Sequence, residues 1–107
     1  IEKNEWMTIA KLTSPRSSNQ SIVVGNKVYL VGGWDSTPKS PNDYEGTFLS
    51  QIDIFDLETE TISEASYSMP LPLRRAFTAV EYKGKMLLMG GLGQGSSHFE
   101  LINKLTL

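Results

Sequence analysis

Val23-Val24-Gly25-Asn26-Lys27-Val28-Tyr29-Leu30-Val31-Gly32-Gly33 decides the fold, because two apolar runs meet at Gly25-Asn26 and end on a glycine pair. Val, Leu and Tyr suit a pleated, half-buried surface, and Gly-Asn supplies the positive φ of a tight turn, so the stretch reads as a β-hairpin. A second copy follows as Ala79-Val80-Glu81-Tyr82-Lys83-Gly84-Lys85-Met86-Leu87-Leu88-Met89-Gly90-Gly91. Gly91 lies 58 residues after Gly33 and Arg74 lies 58 after Arg16, while Trp6 finds its counterpart near Ile62 at a spacing of 56. The chain is built from two repeats.

Outward from the first hairpin, residues 6–12 carry near-alternating apolar positions and stop at Thr13-Ser14-Pro15, which predicts a short outer strand. Residues 16–20 are polar and lead into the first hairpin strand. Residues 34–47 shift to Asp, Ser, Pro, Asn and Gly, with Pro38 and Pro41, and read as a loop rather than an element of their own. A loop of that length is a candidate functional loop. A third strand is expected over residues 48–55, a turn over 56–60, and a fourth strand over 61–65. The second repeat is expected to run as a loop over 68–75, strands over 77–82 and 85–89, a short glycine-rich loop over 92–97, and a strand within 98–107. A helix through Phe99, Ile102 and Leu105 is the alternative for that last run.

Pro15-Arg16-Ser17-Ser18, then residues 22–33, then Ile54-Phe55-Asp56-Leu57-Glu58-Thr59 set out in order a proline-arginine pair, a strand, a hairpin turn, a tyrosine, a double glycine and an aromatic-aspartate turn. This order resembles the kelch repeat of β-propellers, in which four strands make one blade. Trp6 would be the closing tryptophan of a preceding blade. The second repeat departs from the pattern at Leu73, Leu87 and Ile62, and the Trp34-Asp35 and Arg74-Arg75 pairs are similar to kelch proteins of bacteria. The resemblance implies an all-β chain of about two four-stranded antiparallel blades. Residues 1–14 would be an outer strand of a preceding or closing blade, 15–67 the first repeat, and 68–107 an incomplete second.

Two blades cannot close a ring, since propellers use about four to eight. The remaining blades are expected from a longer propeller of which this is a segment, or else from identical copies, three of which would make six blades. A monodisperse monomer in size-exclusion chromatography with light scattering rules out the second arrangement.

Composition narrows the partners. Twelve acidic and ten basic side chains leave a net charge of −2, with the basic residues scattered, so neither nucleic acid nor an anionic membrane surface is an expected partner. No apolar run approaches the length of a membrane span, and no compartment follows from the sequence. The absence of cysteine removes disulfides, thiol nucleophiles and thiolate metal sites.

No catalytic, metal or cofactor site is expected. The glycine-rich run 90–97 has neither Walker spacing with its lysine nor a dinucleotide fingerprint. His98 and Glu100 offer two ligands where a metal needs more, and the single histidine stands in no hydrolase pattern. Asp56, Glu58 and Glu60 are better read as a turn with solvated side chains than as a glycosidase pair. The sequon Asn19-Gln20-Ser21 falls on an inner strand.

In kelch propellers the loops after the second strand and before the first gather on one face, where ligands bind. Carried onto this sequence, the resemblance points to Arg16, Ser17, Ser18, Trp34, Asp35, Tyr44, Arg74 and Arg75. Arginine offers a planar fork for carboxylates, and tryptophan and tyrosine give rigid contact area. The competing reading has Arg16 and Arg74 bridging neighbouring blades through loop carbonyls or Asp. The function implied is a non-catalytic module presenting a loop face to a protein, peptide or glycan. The alternative is part of a carbohydrate-acting kelch enzyme such as a sialic acid mutarotase; a copper radical oxidase is disfavoured by the missing Cys and single His.

Overall fold

A computed structural model of the chain describes residues 4–42, 46–70, 72–93 and 97–106. Among them there is no helix, and the strands are β1 (Gln20–Val24), β2 (Lys27–Val31), β3 (Trp34–Asp35), β4 (Thr47–Phe48), β5 (Gln51–Asp56), β6 (Thr61–Ser68), β7 (Thr78–Tyr82), β8 (Lys85–Met89) and β9 (Ile102–Thr106). Both hairpins form where the sequence places them. Gly25 takes φ +61°, and the second turn puts Lys83 at +50° and Gly84 at +76°. The strand expected late in the chain pairs antiparallel with β8, so the helical alternative for residues 98–107 is not formed.

β1, β2, β5 and β6 make a four-stranded antiparallel sheet in that order, and β7, β8 and β9 make a three-stranded one. Alternation along the strands divides the side chains between two faces. Ile22, Val31 and Ile52 from the first sheet pack with Phe77, Met86, Leu88 and Met69 in one buried cluster, flanked by Val24, Tyr29, Tyr67, Ala79 and Leu105. The two sheets are thus stacked face to face. Neither could bury an apolar face alone, so each repeat depends on stacking against its neighbour.

The opposite face of the first sheet presents Val28, Leu30, Phe55 and Ile62, and Ile9, Ala10 and Leu12 lie across it. Here the structure corrects the expectation of a strand over residues 6–12. Residues 6–12 pair with no strand among the described residues; Ile9, Ala10 and Leu12 line a cavity of about 250 Å³ over that face, while Trp6, Met7, Ile9 and Leu12 stay exposed.

Residues 34–47 also differ from a plain loop. Trp34 pairs with Phe48 and Asp35 with Thr47, giving a two-stranded ribbon at the end of the hairpin. Gly46 permits the return, with φ +68° and a position where a Cβ would lie 2.7 Å from the Trp34 indole Nε1. The expected third strand is therefore split between the ribbon and β5, and β6 extends three residues past the expected end.

The turn between β5 and β6 is closed by Asp56, whose Oδ1 accepts the amides of Glu58 at 2.9 Å and Thr59 at 3.0 Å. The Thr59 and Glu58 amides hold the Asp56 carboxyl below the usual carboxylate range. Glu60 ends this turn in the left-handed region at φ +56°, with its side chain exposed. Asparagine tolerates that conformation better than glutamate. Glu60→Asn is expected to raise the unfolding free energy by about 0.5–1 kcal/mol. Urea unfolding checks this as a higher midpoint at unchanged slope; a lower midpoint would show that the glutamate side chain has a stabilising role.

Candidate functional site

Two of the arginines singled out in the sequence are interior groups. Arg16 Nη1 donates to the Gly32 carbonyl at 2.8 Å and Nη2 to the Gln51 carbonyl at 3.1 Å, and Nη2 lies 3.4 Å from Asp53 Oδ2. Both side chains of the ion pair are fully buried. Thr13 Oγ1 lies 2.9 Å from each Asp53 oxygen, and Gln51 Nε2 donates to Thr13 Oγ1. The network ties the hairpin's glycine end to β5 and anchors the chain just after residues 9–12.

The second repeat rebuilds the arrangement 58 residues on. Arg74 Nη1 donates to the Gly90 carbonyl at 3.2 Å, Nε to the Pro72 carbonyl at 3.1 Å, and Nη2 to Asn103 Oδ1. Burial lowers the Arg74 pKa from its ordinary value, and the guanidinium remains charged because that value starts far above neutrality. The side-chain hydrogen bonds of Arg16 and Arg74 stay within their own repeats. The bridge between sheets is made by backbone: Gly33 N donates to the Arg74 carbonyl at 3.0 Å and Ala76 N to the Ser18 carbonyl at 2.8 Å.

This stitching sets the loop end of the seam. Ser17 and Trp34 exchange backbone hydrogen bonds at 3.0 and 2.9 Å, and the Ser17 hydroxyl reaches the Trp34 carbonyl at 3.2 Å. Arg75 and Leu92 repeat the backbone exchange at 2.9 and 2.8 Å. Ser18 at φ +56° and Ala76 at +53° mark the same bend in each repeat. Because the two bends lie side by side, the Arg75 guanidinium carbon comes to 4.5 Å from the Trp34 ring centroid. Both side chains are partly exposed.

Asp35 sits beside Trp34 in the ribbon, and its Oδ1 accepts the Thr37 amide at 2.9 Å. That backbone hydrogen bond holds the Asp35 carboxyl below the usual range. Of the eight residues singled out in the sequence, the structure brings Ser17, Trp34 and Arg75 together, with Ser18 contributing its carbonyl and Asp35 adjacent. It places Arg16 and Arg74 inside, and Tyr44 lies outside the described residues. Thr13, Asp53 and Asn103, which complete the two arginine networks, were not singled out. The one signal for Asp53 was a carboxylate between Ile52 and Ile54 in a strand.

Residues 15–61 match the Kelch motif. Similar proteins include beta-scruin of Limulus polyphemus, 26% identical over 92 residues that make up 86% of this chain and 9% of that protein. Kelch-like protein 6 of Homo sapiens is 28% identical over 89 residues, 82% of this chain and 12% of that protein. The chain spans about a tenth of the length of these curated relatives.

Proposed function

We propose that this chain, which carries the kelch motif, is a non-catalytic interaction module that presents the loop end of its inter-sheet seam to a protein or peptide. In this reading residues 15–67 and 68–107 are successive blades, and residues 1–14, whose described part pairs with no strand here, would become the outer strand of a preceding or closing blade once paired with it. The carrying observation is the convergence of Ser17, Trp34 and Arg75 from two repeats onto one partly exposed end. An aromatic ring backed by a cation is a common centre of binding energy. The similarity to kelch proteins supports the same direction, since repeat surfaces of this kind recognise extended partners.

Peptides selected on the wild-type protein from a random display library test this. They are expected to bind Trp34→Ala at least about tenfold more weakly, the loss of roughly 1.4 kcal/mol or more that a buried aromatic anchor carries. Tyr82→Ser, on the far sheet face, is expected to bind them unchanged. A selection that retains no peptide, or retains only peptides indifferent to Trp34, overturns the reading.

A further inference from the structure

The geometry points to Arg75, laid over Trp34, as a recognition point for a carboxylate on that partner. The inference rests on the loop-end reading and adds the chemistry of what is bound there. Its first support is the state of the guanidinium. Arg75 makes no side-chain hydrogen bond or ion pair among the described residues: its Nε is enclosed without a partner, and its two terminal nitrogens, which are not enclosed, are the donors a partner can reach. Arg16 also has a bare Nε, but both of its terminal nitrogens are occupied. Two open terminal nitrogens held in one plane without a protein acceptor suit a carboxylate best, because its two oxygens match the planar fork.

The second support is that no carboxylate of the described chain does this. Asp35, the acidic residue nearest in sequence to Trp34, is turned to the Thr37 amide and forms no ion pair with Arg75. The stacking contact occupies one face of the guanidinium, which leaves its N–H edge for an incoming group.

The third support is the repeat itself. Arg16 and Arg74 recur at the repeat spacing and do the same structural work in each sheet. Arg75 does not recur: its counterpart is Ser17, and the counterpart of Trp34 is Leu92. A pair that the repeat does not generate is one the fold does not require. The carboxylate could be an Asp or Glu side chain or the C-terminus of a partner chain, since both present the same two oxygens.

The test is a titration of nitrogen-15-labelled protein, followed at the Arg75 Nε–Hε and Trp34 indole resonances. Three blocked peptides serve as probes: acetyl-Ala-Glu-Ala-amide, acetyl-Ala-Gln-Ala-amide and acetyl-Ala-Ala-Ala with a free C-terminal carboxylate. One or both carboxylate peptides are expected to shift the two resonances and to bind about tenfold or more tightly than the glutamine peptide. Which carboxylate peptide acts identifies the source. Arg75→Gln is expected to abolish the Trp34 shift, and Arg75→Lys to weaken it severalfold, because charge is kept and the fork is lost. Equal responses to the glutamate and glutamine peptides, or a Trp34 shift that survives Arg75→Gln, overturn the inference. Library peptides that depend on Trp34 yet show no enrichment in carboxylates would do so too, while leaving the interaction module standing.

Discussion

Replacing Asp53 with alanine is expected to lower the unfolding free energy by about 3–5 kcal/mol, a large part of what a domain of this size possesses. The carboxylate is fully buried, lies 3.4 Å from the Arg16 guanidinium and faces the Thr13 hydroxyl. Removing it leaves a buried cation next to a cavity, which is the costly way to break an ion pair. Asp53→Asn should be much milder, and the second repeat supplies the reason. Asp53 pairs in register with Leu30, Asn103 pairs with Leu88 at the equivalent place, and Asn103 serves Arg74 through its side-chain oxygen. Urea unfolding of the two variants reads the difference. Loss of Asp53 should also release Thr13 and, by loosening the chain there, speed tryptic cleavage at the already exposed Lys11. If the alanine variant loses less than about 1 kcal/mol, the burial of this network is not what holds the glycine end of the hairpin to β5.

These arginine networks show how the fold and the site separated in the sequence. Both hairpins, the glycine pairs and the late strand at Ile102–Thr106 were legible, because each rests on local alternation and turn chemistry and each occurs twice. Arg16 and Arg74 were legible as important but not as interior. Their recurrence at one spacing was itself a hint, since residues needed by every blade repeat and residues needed by one ligand do not. Residues 6–12 show the limit of alternation, which marks a segment able to lie half-buried and does not supply the neighbour: here it pairs with no strand among the described residues, and Trp6, Met7, Ile9 and Leu12 are exposed. The ribbon of β3 and β4 depends on Gly46 meeting Trp34 across a return of the chain, which no local pattern announces. Trp34 and Arg75 were each legible as candidates, yet their contact spans two repeats and follows only from the backbone stitch between sheets.

That stitch depends on glycine at the seam, and the two repeats contain their own control. Gly32 and Gly90 hold the same place, with φ +66° and +70°, so alanine pays a similar left-handed strain at each, about 1–2 kcal/mol. Their surroundings differ. A Cβ at Gly32 would come to 2.5 Å from Phe77 Cε1 and 3.0 Å from the Arg74 carbonyl, whereas a Cβ at Gly90 would meet only the Phe99 carbonyl, at 3.6 Å. Phe77 is buried between the sheets and has nowhere to turn, so the methyl forces the sheets apart, adding about 1–3 kcal/mol. Gly32→Ala is therefore expected to lower stability by about 2–5 kcal/mol and Gly90→Ala by about 1–2. The seam carries the loop end as well as the core, so Gly32→Ala should also shift the Trp34 indole resonance, as the Arg75 ring contact loosens. Gly90→Ala should leave that resonance in place. Equal losses at the two positions would mean that the face beyond Gly90 is packed in solution as tightly as the seam at Gly32, as it would be if a further blade covered Val80, Tyr82 and Met89.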